Sequence, residues 1–290
     1  MKIFIVMVLY NPDEEKVTEF SHYAIVHNYY VVFVDNSTRD YEEKVLENEY
    51  VIRILLGRNT GIAFAQNAGI RYAISQNADT ITLLDQDSEI NEYTLRKLVQ
   101  PVVEGLTQVS SPVIISKQTG VEYPSYIVDK NGKSLDVFSF GKSELVPVNL
   151  VVASGITCNP SVFKSIGLFD EDFFIDFVDI EWCMRAKLKG VKVNVVPEAV
   201  LLHQIGQGSK RIFGREVIIH SPERVYYKVR NSFLLIRKNV GFRFAIRQIS
   251  PALVQNFFAG FSKKGKKAFY QYYFRGIIDG LLNKKGKVLI

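Results

Sequence analysis

Short apolar runs alternate with longer segments of mixed polarity along the first part of the chain. Mainly apolar runs without internal Gly or Pro predict buried strands, at residues 2–9, 30–34, 51–56 and 80–84. Helices are predicted in the intervening and following segments, at residues 13–27, 62–76 and 91–103. A further strand is predicted at 109–116. Strands that alternate with helices at this spacing favour an α/β fold with a parallel, doubly wound sheet.

The pattern is weaker in the second half of the chain. Residues 119–142 lack a clear period and are rich in Gly, Ser and polar residues, which predicts loops and a hairpin around Asn131 and Gly132. The remaining predicted elements are helices at 160–166 and 180–188 and extended segments at 146–153, 191–196 and 199–203. The helix at 180–188 is expected to end at Gly190, because glycine readily adopts the left-handed conformation that closes a helix.

The net charge of +6 is divided unevenly along the chain. Residues 204–290 contain 18 Lys or Arg and 3 Asp or Glu, whereas residues 1–203 contain the other 18 basic and 27 acidic residues. The segment charges are therefore +15 and −9. Such a division predicts an acidic body and a basic tail that meets something anionic, and nucleic acid and an anionic membrane surface both remain candidates at this point.

The chain has only two cysteines, Cys158 and Cys183, which cannot form a disulfide framework or a four-ligand zinc site. We expect both to be small core residues of a protein in a reducing compartment. The apolar N-terminal run is short and leads directly into Tyr10, so it is interpreted as a strand and not as a signal peptide. No apolar run is long enough to predict a membrane-spanning helix.

Two carboxylates follow the predicted strand at 80–84. Asp85 and Asp87 would be costly at the end of a buried strand without a cation, and a hard divalent metal prefers such oxygen ligands. The alternative is an exposed acidic turn. Polar residues also follow the other strands, and the carboxyl ends of parallel strands meet at one crevice where ligands bind. The chain has no G-x-G-x-x-G motif, which argues against a dinucleotide cofactor.

The motifs taken together resemble a known enzyme family. The segments that carry the resemblance are 8–12, 34–37, 59–63 with 67–69, 85–88, 179–186 and His203. Their order resembles that of family-2 inverting glycosyltransferases with the GT-A fold, and within that family it is most similar to bacterial rhamnosyltransferases of surface polysaccharides. The resemblance covers residues 2 to about 240.

The resemblance implies a Rossmann-like, mostly parallel sheet flanked by helices, with a basic, mainly helical extension at 204–290. It implies a catalytic domain at 1–203, with a nucleotide-sugar half at about 1–105 and an acceptor half at about 106–203. The expected reaction transfers L-rhamnose from dTDP-L-rhamnose to a hydroxyl of a bacterial cell-surface polysaccharide precursor. Alternatives are a UDP-hexose or UDP-galactofuranose donor and, in another class, a non-catalytic protein that binds nucleotide sugars or nucleic acid.

By resemblance, Asp87 and His203 bind Mn²⁺ or Mg²⁺, and Asp85 contacts the ribose or the surroundings of the metal. Tyr10 stacks on the base, and Asp35 accepts the ring N–H of the base. Further residues are expected along the nucleotide and its phosphates, and these are Asn11, Asn36, Arg58, Asn59, Gly61, Asn67 and Gln86. Structural alternatives remain open, since Asn59 and Asn67 are also typical of caps and turns and a lone His is often a packed residue.

By resemblance to the family, Asp179 is the expected general base, and an inverting single displacement needs one such carboxylate to take the proton of the acceptor hydroxyl. Asp176 and Glu181 are its rivals, and a helix N-cap is the structural alternative for Asp179. Three residues are assigned to the acceptor side, and these are Gly155, Trp182 and Arg185. A core position is an equally good interpretation of Trp182.

The basic tail begins with an expected amphipathic helix at 224–240 that packs on the catalytic body. Further on, aromatic residues at 257–261 and 269–274 flank the lysine-rich segment 263–267. This composition favours an anionic membrane surface over nucleic acid once a lipid-linked or oligosaccharide acceptor is considered. The alternative is a helical pair with solvated lysines. We therefore expect a cytoplasmic enzyme on the inner face of the plasma membrane, with no nucleic acid partner and a possible homo-oligomeric state.

Overall fold

A computed structural model of the chain describes residues 1–38, 48–203, 209–212, 215–218, 221–238, 240–262 and 266–288. The strands are β1 Ile3–Leu9, β2 Tyr30–Asp35, β3 Val51–Leu55, β4 Thr80–Asp85, β5 Val109–Ser116, β6 Glu122–Tyr123, β7 Ser125–Val128, β8 Ser134–Val137, β9 Val146–Val148, β10 Thr157–Cys158, β11 Val193–His203, β12 Ser209–Ile212 and β13 Arg215–Ile218. The α-helices are α1 Glu14–His27, α2 Ile62–Ser75, α3 Glu92–Val103, α4 Pro160–Ile166, α5 Val178–Leu188, α6 Pro222–Leu234, α7 Phe242–Ala259 and α8 Lys266–Leu281.

The central sheet has the strand order β3-β2-β1-β4-β10-β5-β11-β9, and β6 pairs with β5. Strands β1 to β4 are mutually parallel, and β5 is parallel to β11. The short strand β10 is antiparallel to both β4 and β5, so the two parallel blocks run in the same direction. The expected mostly parallel sheet is therefore confirmed, and the carboxyl ends of β4 and β11 lie at the same edge.

The alternation of side chains along β1 supplies both faces of the sheet, because successive residues of a strand point in opposite directions. Val6 and Val8 pack with residues of α2, α4 and α5, whereas Ile5 and Met7 pack with residues of α1 and α3. Gly69 allows α2 to lie directly on the sheet, since a Cβ atom there would lie 2.3 Å from Val6 Cγ1. The strands are thus buried on both sides, as expected for a doubly wound fold.

Most predicted elements are present, and the differences lie in the second half of the chain. The segment expected to be extended over 146–153 forms a strand only at Val146–Val148, because Asn149 and Leu150 donate their backbone N–H groups to Tyr126 instead. The two pieces expected at 191–196 and 199–203 form one strand, β11, with a register shift between Val196 and Val200. The predicted hairpin around Asn131 is formed by β7 and β8.

The C-terminal helices pack on the body of the protein. Leu234, Val240 and Phe244 belong to the same hydrophobic core as the sheet, so the predicted packing of the amphipathic segment is confirmed. Helix α6 ends at Leu234 and is followed by a 3-10 turn at Leu235–Arg237. The predicted domain boundary at residue 203 remains a prediction. Within the described ranges, no helix is both long and apolar enough to span a bilayer. Lys263 and Lys264 of the predicted lysine cluster lie outside the described residues.

Candidate active site

Two carboxylates and one imidazole meet at the carboxyl edge of the sheet. Asp85 ends β4, Asp87 follows in the next turn, and His203 ends β11. One potential ligand atom from each lies within 4.8 Å of the others. Ligands at about 2.0–2.6 Å from a single cation lie at most about 5 Å apart, so the spacing suits one ion. The described part of the chain therefore brings the predicted metal residues together in a donor set that fits a divalent cation.

The short strand β10 makes this meeting possible. Its pairing with β4 covers Ile81 and Thr82, and the backbone of Leu83 bonds to Gly155 and Ile156 just before β10. The sheet is therefore open only beyond Leu83. The segment after Asp87 crosses this opening and forms a β-bridge between Glu89 and Leu202. The two aspartates and His203 therefore lie close together, although β4 and β11 are not neighbours in the sheet.

Two serines fix the orientation of the histidine ring. Ser88 Oγ lies 3.2 Å from His203 Nδ1 and 2.7 Å from Ser154 Oγ. Asp85 donates its backbone N–H to Ser154 Oγ at 3.2 Å, so these contacts connect the His203 ring to the backbone of Asp85. The side chain of His203 is 8% exposed, that of Asp85 33% and that of Asp87 51%. The cluster is thus supported from below and open to a ligand on one side.

The carboxylates repel each other in the absence of a cation. Burial raises the pKa of Asp85, and the charge of Asp87 raises it further, against an opposing effect of His203. A cation bound between the carboxylates would favour their ionised forms, because opposite charge stabilises the charged state. The repulsion and the convergence of three donor atoms therefore fit a site for a divalent cation.

Asp179 lies in the first turn of α5, close enough to this cluster for their charges to interact. Burial raises the pKa of Asp179 to about 6, and the charges of Asp176 and Asp85 contribute in the same direction. Phe177 occupies the N-cap position of α5, so Asp179 is not the cap that the structural alternative proposed. Its Oδ1 accepts the backbone N–H of Ile180 at 2.8 Å.

The rivals of Asp179 are engaged by arginines. Glu181 is 2% exposed and accepts two hydrogen bonds from Arg185, at 2.6 and 2.8 Å. Asp176 forms an ion pair with Arg224 of α6, with Nε 3.2 Å from Oδ2. Burial lowers the pKa of Lys228, one turn further along α6, while Asp176 and Asp179 favour its charged form. Helix α6 therefore presents positive charge to the side of the crevice that holds Asp179.

The other strand ends form a polar rim. Gln86 Oε1 accepts the backbone N–H of Tyr10 at 2.7 Å, and Gln86 Nε2 donates to Tyr10 O at 3.2 Å. Tyr10 itself is 45% exposed. Asn36 Oδ1 accepts the backbone N–H of Thr60 at 2.7 Å, and its Nδ2 donates to Asn59 at 3.2 Å. Gly61, with a φ of 91°, is the N-cap of α2, and Arg58, three residues before it, is exposed. Asn36 and Asn59 thus hold the N–H groups of Thr60 and Gly61, and Tyr10 and Arg58 are among the exposed members of this rim.

Comparisons with known proteins agree with this geometry. Residues 4–147 match the family model "Glycosyl transferase family 2". The chain is 35% identical over 281 residues to the dTDP-rhamnosyl transferase RfbF of Shigella flexneri. The alignment covers 96% of this chain and 95% of the relative. The chain belongs to glycosyl transferase family 2. The expectation that it is a glycosyltransferase is thereby confirmed.

Solved structures support the same fold for this glycosyltransferase. The structure of S. aureus TarS in complex with UDP-GlcNAc matches 98% of this chain and 81% of its own, with a TM-score of 0.59 and 17% identity. The structure of GalNAc-T7 with UDP, GalNAc and Mn²⁺ matches 88% of this chain and 56% of its own, with a TM-score of 0.58 and 15% identity. The predicted GT-A fold with C-terminal helices is confirmed.

Several residues that the sequence assigned to ligands also make buried contacts within the transferase. Asp35 is 2% exposed, and both of its oxygens are engaged, one by Arg53 and one by the backbone N–H of Ser37 at 2.8 Å. Arg53 also pairs with Glu14 of α1, at 2.9 Å. A contact between Asp35 and a base would require one of these partners to give way, so this role remains a prediction.

Asn67 is buried in α2, and its side-chain amide faces the segment before α5. It donates to Phe169 O at 2.9 Å and to Glu171 Oε1 at 2.8 Å, and it accepts from Phe169 N at 3.0 Å. Both groups of the Asn67 amide are thus engaged within the protein, and its assignment to the nucleotide remains a prediction. Asn11, in contrast, lies at the rim with a φ of 47° and donates its N–H to Ser37 Oγ at 2.8 Å.

The residues assigned to the acceptor also lie beneath the crevice. Trp182 is fully buried and donates Nε1–H to Gly167 O at 2.9 Å. Arg185 is committed to Glu181 and to two backbone carbonyls, and a Cβ atom on Gly155 would lie 2.4 Å from Pro112. These three residues are thus engaged in contacts within the protein, and their assignment to the acceptor side remains a prediction.

Sequence reasoning missed Ser88, Ser154, Arg53 and Arg224. The first two carry no signal beyond their places beside Asp87 and Gly155. Arg53 was visible as a charged residue inside an otherwise apolar strand, which is unusual unless a partner is close. Arg224 is 48 residues away from Asp176 in sequence, and only the packing of α6 brings the two together.

Proposed function

We propose that this glycosyltransferase moves L-rhamnose from dTDP-L-rhamnose to a hydroxyl of a cell-surface polysaccharide precursor, with inversion at the anomeric carbon. The observation that carries the proposal is the meeting of Asp85, Asp87 and His203 beside Asp179 at the carboxyl edge of the sheet. The 35% identical relative named as a dTDP-rhamnosyl transferase supports the choice of donor. The alternative donors are a UDP-hexose and UDP-galactofuranose.

The chemistry is a single displacement. The acceptor oxygen forms a bond to the anomeric carbon while the bond from that carbon to the diphosphate oxygen breaks, and dTDP leaves. Asp179 takes the proton of the attacking hydroxyl, and its raised pKa makes it a stronger base than an exposed aspartate. No covalent intermediate is needed, so the site requires no nucleophilic side chain.

Asp87 and His203 would hold Mn²⁺ or Mg²⁺, with Asp85 in or beside the coordination sphere. Such an ion, when bound, neutralises charge on the departing diphosphate as a Lewis acid. The chain's own groups do the rest. The exposed ring of Tyr10 offers a surface for the base, and the polar rim formed by Asn11, Asn36, Asn59, Gly61 and Gln86 borders the nucleotide, with Arg58 beside it.

The decisive experiment is a donor panel with the purified chain. dTDP-L-rhamnose, UDP-glucose, UDP-galactose and UDP-galactofuranose are incubated with Mn²⁺, Mg²⁺ or EDTA, and release of nucleoside diphosphate is measured. We expect turnover with dTDP-L-rhamnose only when a divalent metal is present. Turnover with a UDP-sugar and not with dTDP-L-rhamnose would show that the UDP-sugar is the donor. Thermal stabilisation by nucleotide sugars without any turnover would indicate a binding protein.

We further propose that α7 and α8 contact an anionic membrane surface, where a lipid-linked acceptor would reside. Phe258, Phe261, Tyr270 and Phe274 form a continuous aromatic face, with successive ring centroids 6.0 to 6.4 Å apart. Phe258, Phe261 and Phe274 are exposed. Lys266 and Lys267 are exposed at the start of α8, next to this face. Aromatic side chains beside lysines are typical of interfacial membrane surfaces.

Vesicle co-sedimentation tests this surface. Wild-type protein should pellet with phosphatidylglycerol-containing vesicles and less with neutral phosphatidylcholine vesicles, and the double variant Phe258→Ser, Phe274→Ser should pellet less. Phe242→Ser is the matched control, because Phe242 is 66% exposed at the opposite end of α7. Equal pelleting of all variants would contradict the proposal, and a change of oligomeric state in the double variant would instead assign the face to a second copy of the chain.

A further inference from the structure

The segment that leads into the proposed base has an unusual backbone. Phe174 has φ 64° and ψ −62°, and Ile175 donates its N–H to Phe173 O at 2.8 Å, which together form a γ-turn of the rare positive-φ form. Asp176 and Phe177 follow with φ values of 62° and 67°. Non-glycine residues avoid this region because their Cβ atoms meet the backbone. Three such residues within four positions must be held by their surroundings.

Helix α6 supplies the contacts that hold this segment. The side-chain amide of Asn231 lies 2.9 Å from Phe173 O, 2.7 Å from Ile175 O and 2.9 Å from Asp176 O, and it is the donor in each contact. Asn231 Oδ1 accepts Nε–H of Arg230 at 2.9 Å, which fixes the amide with its NH₂ group toward the segment. One side chain therefore supplies a donor to the carbonyls of Ile175 and Asp176 and a further donor to the carbonyl of Phe173, which already accepts the γ-turn hydrogen bond.

Further contacts from the same helix fix the surroundings of Asn231. Arg230 donates to Phe173 O at 3.0 Å, Arg224 pairs with the carboxylate of Asp176, and the ring of Tyr227 stacks on Phe174 at 4.8 Å between centroids. Arg230 and Asn231 are both 0% exposed. Burying two such polar side chains is unfavourable unless all of their groups are satisfied, so the contacts with this segment are what makes their burial tolerable.

The segment also touches the nucleotide side of the crevice. Phe174 O accepts the N–H of Ile62 at 2.8 Å, in the first residue of α2. A Cβ atom on Gly61 would lie 2.5 Å from the Phe174 ring, so only glycine permits this approach. The position of Phe177, the N-cap of α5, thus depends on α6 on one side and on α2 on the other.

We propose that Asn231 is a positioning residue for Asp179, because it holds the strained segment Phe173–Phe177 that directs the first turn of α5 into the crevice. The inference rests on the proposed function of Asp179 as general base. Asn231 lies outside residues 4–147, which the family model matches. Its positioning role would make α6 part of the catalytic machinery.

The test compares Asn231→Asp, Asn231→Ala and the control Asn256→Ala. Asp keeps the size of the side chain and the contact with Arg230 but loses the donors to the carbonyls. Asn256 is also a buried asparagine of the C-terminal region, and among the described residues it donates to Ala252 O of its own helix at 2.6 Å. In both Asn231 variants we expect kcat to fall by about 10- to 100-fold, since small displacements of a catalytic group are costly, with a smaller change in the KM for the donor.

The acid limb of the kcat profile should also shift in Asn231→Ala, because the burial that raises the pKa of Asp179 changes when the segment relaxes. A purely structural role would lower the melting temperature and the active fraction, as in Asn256→Ala, without a change in the pH profile. An unchanged kcat and pH profile in folded Asn231 variants would overturn the proposal. Absence of turnover in the wild type would instead count against the proposed function.

Hydrogen exchange of the wild type tests the proposal without a variant. If α6 holds the segment, the amide of Ile175 should exchange as slowly as the amides of α6 itself, because both open in one unit. Rapid exchange at Ile175 with slow exchange in α6 would overturn the proposal even if no Asn231 variant folds.

Discussion

The two chemical centres of the crevice are built in different ways. The metal residues lie at or just after the ends of strands, and two of them, Asp85 and Asp87, are separated by a single residue. The proposed base follows a strained segment whose partners come from α6 and α2, some 50 to 110 residues away in the chain. The comparison teaches that a sheet edge delivers ligands through local regularity, whereas the base depends on distant tertiary contacts. Substitutions should therefore affect the two centres in separable ways.

The largest effect is expected at the base itself. Asp179→Asn keeps the shape of the side chain but removes the proton acceptor, so kcat should fall by a factor on the order of 10² to 10⁴. Donor affinity, measured by calorimetry with the metal present, should stay close to that of the wild type. Full turnover in the variant would transfer the role to another group and would make Asp176 the first residue to test.

The metal centre should respond in metal affinity. His203→Ala should raise the Mn²⁺ concentration for half-maximal activity by at least about 10-fold, since even residues that only support ligands change metal affinity by that much. Ser88→Ala should have a smaller effect in the same direction, because Ser88 only orients the ring. His22→Ala, an exposed histidine of α1, is the control. An unchanged metal titration in His203→Ala would remove His203 from the site.

The pH dependence should distinguish the centres further. Asp179 must be ionised to accept a proton, so kcat should rise as the pH increases through about 6, where its carboxyl titrates. Asp176→Asn removes a charge that raises this pKa, so the acid limb should move to lower pH, with a small change in the maximal rate. A limb that stays in place would show that the observed ionisation belongs to a different group.

The smallest catalytic effect is expected at Asn67. Asn67→Ala should lower the free energy of unfolding by about 1–3 kcal/mol, because it leaves the backbone of Phe169 without its partners. Donor KM should not change once the folded fraction is taken into account, as judged by urea unfolding and steady-state kinetics. A large rise in KM with unchanged stability would return Asn67 to the nucleotide site.

The strand ends were accessible to sequence reasoning because burial on both sides of a parallel sheet produces long apolar runs. The polar residues that interrupt these runs, such as Tyr10 and Asp85, are then easy to place at one edge. The acceptor residues were harder to place. Trp182 and Arg185 lie on α5 close to Asp179, and nothing in their local pattern distinguishes a side chain that faces the crevice from one that faces the core.

The sequence by itself determined the alternating fold, the edge that carries the carboxylates, and Asp179 as a candidate base. Only the tertiary structure decided that Arg53 pairs with the carboxylate of Asp35 and that Asn67 bonds to the backbone of Phe169. It also decided that α6 supports the segment before Asp179. The physical reason is the range of the interactions. Hydrophobic periodicity reflects the nearest turns of the chain, whereas a buried hydrogen bond joins any two segments that the packing brings together.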